Sequence, residues 1–168
     1  MISILRLGHR PHRDFRVTTH VALVARCFGA DRMYIAVEDR ELQERIDSVN
    51  RRFGGHFSVY LERDWKKLIR DFQGTVVHLT MYGLKLSETL PSMRREDDLL
   101  VIVGAEKVPS EVYTLSDYNI SVGNQPHSEI AALAIFLDRW TGGAWEKAEF
   151  GGRIRIIPDA RGKRVAEY

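Results

Sequence analysis

The apolar residues of this chain fall into short runs separated by amphipathic stretches. Residues 2–7 predict a first strand. Residues 19–28 predict a helix, because Val21, Val24, Ala25 and Phe28 recur at helical spacing and Gly29 stands where helices commonly stop. Residues 33–37 predict the next strand. Across 40–53, Leu42, Ile46, Val49 and Phe53 step by four, three and four, one apolar stripe on a helix that Gly54 and Gly55 end. A strand over 57–61 follows, then a helix capped by Asp64 and carrying Trp65, Leu68, Ile69 and Phe72.

Three later apolar runs, 76–80, 99–103 and 118–122, each lead into a loop that bears glycine. The loops are Met81-Tyr82-Gly83, Gly104 through Pro109, and Gly123 through Glu129, and the segments between the runs contain Pro91 and Pro109. The last loop opens the clearest helix, 128–140, with Ser128 at the cap position and Ile130, Leu133, Ala134 and Leu137 beneath it. Beyond Gly142 and Gly143, residues 153–157 alternate basic and apolar side chains as an exposed strand does.

Strands alternating with helices predict an α/β fold, a mostly parallel sheet flanked by helices. The length predicts a single domain over residues 1–168, with 150–168 as a basic extension. In such a sheet, loops at the carboxyl ends of neighbouring strands form a ligand crevice. Glycine there lets the backbone approach a ligand or take a positive φ. Three such loops in succession predict one composite pocket for a small organic cofactor.

Composition narrows the picture: 44% hydrophobic and 29% charged residues describe a globular, soluble chain. No apolar run approaches the ~20 residues that cross a bilayer, and no basic stretch with an apolar core opens the chain. The expectation is a cytoplasmic protein with no membrane partner. Cys27 has no cysteine to pair with and lies in an apolar helical pattern, so it is expected in the core. The net charge of +2 is unevenly placed, with a local +3 over residues 6–16, +4 over 153–164 and −5 across the remainder. That pattern fits either a polyanionic partner such as RNA or two solvated segments. Arg6, Arg10 and Arg13, with Arg153, Arg155, Arg161, Lys163 and Arg164, are the candidate phosphate contacts.

Several chemistries are excluded. There is no phosphate-binding G-x-x-x-x-G-K-[ST], no G-x-G-x-x-G, no H-E-x-x-H and no G-x-S-x-G. One cysteine and six scattered histidines give no spacing for a metal, so none is expected. The glycine loops are rich in backbone amides and poor in cations apart from Lys107. A nucleoside without phosphates suits them better than a nucleoside triphosphate.

The strings Leu5-Arg6-Leu7-Gly8-His9-Arg10-Pro11, Arg16 through Leu23, His78 through Gly83, Gly104-Ala105-Glu106-Lys107-Val108-Pro109 and Gly123-Asn124-Gln125-Pro126-His127-Ser128-Glu129 occur in this order. Together they closely resemble the archaeal tRNA cytidine 2′-O-methyltransferases that act at position 56, in the T-loop, a family of the knotted SPOUT superfamily. The resemblance covers essentially the whole chain. It implies a SPOUT-like fold with a carboxyl-terminal deep trefoil knot, a homodimer, a tRNA substrate and S-adenosyl-L-methionine as cofactor. Carried over residue by residue, the cofactor would meet Leu79, Thr80, Tyr82 and Gly83 in the first loop. It would meet Gly104, Ala105, Glu106, Lys107 and Val108 in the second. In the third it would meet Val122, Gly123, Asn124, Gln125, Pro126, His127, Ser128 and Glu129.

Transfer of a methyl group to a ribose hydroxyl is an in-line displacement, so alignment supplies much of the rate, and the hydroxyl needs a base or a stabilising charge. Many SPOUT 2′-O-methyltransferases place an arginine six residues before the glycine of the first helix; here that position is Leu23. The catalytic candidates are therefore Arg16, Arg26 and His127, with His20 a further possibility. His20, on a mostly apolar helix, otherwise reads as a core histidine; His78 reads as structural, and Trp140 and Trp145 as packing residues. Two rival readings stand beside the ribose methyltransferase: a non-catalytic RNA-binding protein that retains the pocket, and a base methyltransferase on the same fold.

Overall fold

The computed structural model describes residues 1–95, 98–105 and 107–168. Strand β1 (Ile2–Arg6) runs into α1 (Pro11–Cys27), followed by β2 (Arg32–Ile35), α2 (Arg40–Phe53), β3 (Ser58–Leu61), α3 (Trp65–Asp71) and β4 (Thr75–Lys85). A short α4 (Leu86–Thr89) and a 3-10 turn lead to β5 (Leu99–Val103), α5 (Glu111–Leu115), β6 (Tyr118–Ser121) and α6 (Glu129–Thr141). After a second 3-10 turn the chain closes with β7 (Ile154–Ile157) and β8 (Arg164–Glu167). The first six strands form one sheet in the order β3-β2-β1-β5-β4-β6, and every pair in it is parallel.

Central β5 is buried along its whole length, as a strand covered on both faces must be. On one face, Val21, Ala22 and Ala25 of α1, Leu42 and Ile46 of α2, and Leu133, Phe136 and Leu137 of α6 pack over Ile4, Val101 and Val103. The other face is smaller: Ile69 of α3 and Val112 of α5 cover Leu5, Leu100 and Ile102. The helix starts follow from side chains. Asp39 accepts from the Leu42 amide, Asp64 from the Lys67 amide and Ser128 from the Ile130 amide.

Helix α1 begins eight residues earlier than its apolar spacing predicts. Pro11 stands in its first turn and Asp14 accepts from the Arg10 amide, so local chemistry starts a helix where the hydrophobic pattern is silent. Arg13 and Arg16 in the added turns, and His20 and Cys27 further along α1, are all exposed. Cys27 and His20 are thus surface residues rather than core residues, because the buried face is carried by Thr18, Thr19, Val21, Ala22, Ala25 and Arg26. Trp140 stacks on Phe136 and Trp145 on Phe28, both in packing roles.

Two features of the sheet shape its carboxyl edge. Strand β4 pairs with β6 through Leu79, then loses register and pairs again from Leu84. Residues 80–83 are extruded between those points, and they are the first glycine loop. Gly83 is needed there: a Cβ would lie 2.5 Å from the Asn119 carbonyl oxygen on β6. The second feature is the β7–β8 hairpin, which pairs with itself and lies apart from the main sheet. Its base is tied to the end of α2 by a Gly54–Gly151 bridge and by the Gly55 amide donating to the Phe150 carbonyl at 2.8 Å.

Candidate cofactor cleft and its surroundings

The ends of β4, β5 and β6 and the start of α6 enclose a cleft of about 380 Å³, within the usual range for a small organic ligand. The structure brings all three glycine loops to it. Leu79, Thr80 and Tyr82 line it from the first loop, Gly104, Ala105 and Val108 from the second, and Val122, Pro126, His127 and Glu129 from the third. Gly104 lies beneath Val108, whose side chain fills the space a Cβ would take. Glu106 falls outside the described residues.

Other expected contacts stand elsewhere. Lys107 is exposed and off the cleft wall. Gln125 and Ser128 also lie outside the lining, Ser128 being used as the α6 cap. Val122, Gly123 and Asn124 border a second hollow against Lys85, Ile135 and Arg139. Asn124 is a clamp between loops: its Nδ2 donates to the Met81 carbonyl at 2.8 Å and to the Gly83 carbonyl at 3.1 Å. Gly83 is used in the same crossing, against β6.

Several lining residues lie outside the set of expected contacts. Tyr113 reaches the cleft from α5, and its hydroxyl meets Thr80 Oγ1 at 3.1 Å. His78, which reads from the sequence as structural, forms part of the wall, with Ile120 and Ala132 adding apolar surface. Among the described residues no lysine or arginine lines the cleft, whereas the Glu129 carboxylate does. The Glu129 carboxylate accepts from the buried Arg6 guanidinium at 3.1 Å, so the cleft wall carries a charge-balanced pair rather than a free negative charge.

The catalytic candidates separate sharply. Arg26 is 8% exposed; its Nε donates to Asn50 Oδ1 at 3.0 Å, its Nη2 to the Gly54 carbonyl at 2.5 Å, and its guanidinium lies over Phe150 at 4.4 Å. It also sits at the end of α1 remote from the start of that helix, about 25 Å for 17 residues at 1.5 Å each. The expectation that Arg26 takes part in chemistry is corrected: it is a structural tie between α1, α2 and the hairpin base. Arg16 is exposed on the second turn of α1. His127 stands on the cleft wall with Nδ1 2.6 Å from the Gln125 carbonyl. A carbonyl only accepts, so Nδ1 carries the hydrogen and the neutral ring leaves Nε2 as a proton acceptor.

The phosphate candidates divide too. Arg6 is corrected: it is 1% exposed, with Nη2 donating to Glu129 Oε1 at 3.1 Å, and burial pulls its pKa below the ordinary arginine value. A side chain enclosed to that degree does not meet a phosphate backbone; it joins β1 to the start of α6. Arg10 is exposed and paired with Asp14 at 2.8 Å, and Arg13 is exposed. Arg153, Arg155, Arg161, Lys163 and Arg164 are all exposed on or beside the hairpin, with Arg164 3.7 Å from Asp159. Among the described residues no group of three or more His, Cys, Asp or Glu side chains is arranged to hold a metal, and no helix is long and apolar enough to cross a membrane.

Known proteins align with this geometry. The family described as tRNA ribose 2′-O-methyltransferase, aTrm56, matches residues 53–166. A tRNA (cytidine(56)-2′-O)-methyltransferase of Pyrococcus horikoshii is 53% identical over 99% of this chain and 85% of its own length. Enzymes of the same name from Thermococcus kodakarensis and Archaeoglobus fulgidus are 51% and 53% identical, each covered over 97% of its length. Two solved structures share the fold at 15% identity. One is the SpoU methyltransferase AviRb from Streptomyces viridochromogenes in complex with the cofactor AdoMet (TM-score 0.55, over 84% of this chain and 60% of that one). The other is a TrmH/SpoU tRNA modifying enzyme of A. aeolicus (TM-score 0.54, over 87% and 76%). This chain belongs to the aTrm56 family of tRNA ribose 2′-O-methyltransferases.

Proposed function

We propose that this protein methylates the 2′-hydroxyl of a tRNA cytidine, position 56 in the T-loop, using S-adenosyl-L-methionine. The observation that carries the reading is similarity along the whole chain, at 51–53% identity, to enzymes named for that reaction. The cleft fits the cofactor on its own terms. It offers a buried, unpartnered acceptor at His78 Nε2, a glycine floor at Gly104, apolar walls from Val108, Ile120 and Ala132, and a carboxylate at Glu129. When bound, the cofactor supplies a methyl group on a positively charged sulfur. The described lining holds no lysine or arginine, and the nearby Arg6 charge is balanced by Glu129.

His127 takes the proton of the ribose hydroxyl through its bare Nε2. Arg16 stabilises the developing alkoxide, since a guanidinium stays protonated and donates rather than accepts. Exposed Arg10 and Arg13 and the hairpin cations hold tRNA phosphates. Tyr82 and Leu84 at the end of β4 and Ile135 on α6 are exposed large apolar residues, and a second copy of the chain would cover them in a homodimer. The single domain, the trefoil knot and a cytoplasmic location belong to the same reading.

The test is incubation of the purified protein with labelled S-adenosylmethionine and a tRNA transcript, then nucleoside analysis. The expected product is 2′-O-methylcytidine, lost when cytidine 56 is replaced. A methylated base would give the reaction to the alternative chemistry of the same fold, and cofactor binding without transfer would leave an RNA-binding protein.

A further inference from the structure

Among the described residues, the buried side-chain polar atoms without a partner are Ser3 Oγ, Ser121 Oγ, Arg6 Nε and Nη1, and His78 Nε2. His78 is the one of these four residues that borders the cleft. Its ring is wholly enclosed, and its Nδ1 lies 2.9 Å from Asn119 Oδ1. The asparagine amide has a fixed sense, because its Nδ2 donates to the Tyr113 carbonyl at 2.9 Å. Asn119 therefore turns its oxygen to the histidine. An amide oxygen only accepts, so Nδ1 carries the ring hydrogen and Nε2 is left as a bare lone pair.

We propose that His78 Nε2 accepts a hydrogen bond from the exocyclic amine of the cofactor's adenine, which makes His78 a specificity-determining residue for the adenosine moiety. The proposal rests on the methyltransferase reading above. Burial pushes the His78 pKa below its ordinary value, so the ring is held neutral. Tyr113 stands edge-on to it at 4.8 Å, and Val108 packs on the same face of the sheet, so aromatic and apolar surface adjoins the ring. A neutral acceptor beside such a surface matches a flat neutral base carrying an amine. Nε2 is shielded from water, so its desolvation is already present before the ligand arrives. An amine gains the bond, whereas a carbonyl at that position would set lone pair against lone pair.

The test compares S-adenosylhomocysteine with S-inosylhomocysteine, whose ring carbonyl replaces the amine, and with the 2′-deoxy and 3′-deoxy forms of the adenosyl ligand. Calorimetry on the wild-type protein should show the inosyl ligand binding at least about tenfold more weakly. In His78→Phe, checked for folding by circular dichroism, that preference should shrink about five- to tenfold while the penalty for each deoxy ligand stays as in the wild type. Ring ¹⁵N NMR of the wild-type protein needs no variant. His78 should show a protonated Nδ1 and a bare Nε2, and the Nε2 resonance should move on saturation with S-adenosylhomocysteine and not with the inosyl ligand. An Nε2 resonance unmoved by saturating adenosyl ligand, or a His78→Phe effect that follows a ribose hydroxyl, would overturn the assignment. Failure of S-adenosylhomocysteine to bind at all would instead count against the cofactor reading.

Discussion

Two buried histidines lie at the carboxyl edge of the same sheet, and they are used in opposite ways. His9, just after β1, has both ring nitrogens engaged, Nε2 with Asp39 Oδ2 and Nδ1 with Thr18 Oγ1, each at 2.8 Å. Asp39 also caps α2, so this corner spends every polar group on joining β1, α1 and α2. His78, on β4, has one nitrogen engaged and one bare, and it borders a cleft. A fully satisfied buried cluster is scaffold. An unsatisfied group beside a cavity leaves something for a ligand to complete.

The largest expected effect comes from outside both histidine clusters. Arg16→Ala should cut methyl transfer by about 10²–10³ in single-turnover assays with tRNA saturating, as loss of a charge-stabilising donor does. Melting temperature and cofactor affinity should stay near wild type, because Arg16 is exposed. A normal rate would remove Arg16 from the chemistry and leave His127 to be examined alone.

The comparison itself breaks if the scaffold corner proves dispensable. Asp39→Ala removes a helix cap and leaves His9 Nε2 buried without its partner, a loss of about 2–4 kcal/mol in denaturant unfolding. The folded fraction should still bind S-adenosylhomocysteine with unchanged affinity. Stability within a few tenths of wild type would mean that the satisfied cluster is not holding the corner.

The hairpin gives a smaller, graded effect. Neutralising Arg153, Arg155, Arg161, Lys163 and Arg164 together should weaken binding to any tRNA and flatten its salt dependence by roughly 0.7–0.9 in slope for each phosphate contact removed. Cofactor affinity should not move. An unaltered slope would mean that these exposed cations only face solvent.

The smallest effect is on pH and stability. His78 has a pKa lowered by burial in the folded protein and an ordinary value of 6.5 when unfolded. Between those values the unfolded chain binds a proton that the folded chain does not, so stability rises with pH through that window. The His78 contribution is complete above about 6.5 and is lost as pH falls through the folded value. His78→Phe should flatten the profile of unfolding free energy below pH 6.5; an unchanged profile would mean that the ring is not held neutral.

Periodicity in the sequence was enough for the parallel sheet and most helices, because Leu42-Ile46-Val49-Phe53 and the 99–103 run each bury one face or both. It missed the first two turns of α1, where Pro11 and Asp14 rather than apolar spacing begin the helix, and it placed Cys27 and His20 on the buried face, which Thr18, Thr19 and Arg26 occupy instead. Strand β8 was equally silent, since Arg164, Val165, Ala166 and Glu167 become a strand only through pairing with β7. The three loops were legible from their glycines. Tyr113 was not, because it reaches the cleft from a five-residue helix with no motif of its own. Arg6 reads from the sequence as a phosphate contact and Arg26 as a catalytic candidate, and nothing in a charge count distinguishes an exposed arginine from one enclosed against Glu129 or Phe150.

The most direct measurement is an amide ¹H–¹⁵N shift map of the protein titrated with S-adenosylhomocysteine. The account predicts large perturbations across residues 79–83, 104–108 and 122–129, with His9, Thr18 and Asp39 nearly still. Perturbations centred on His9 and Asp39 with the three loops silent, or none at saturating ligand, would contradict it.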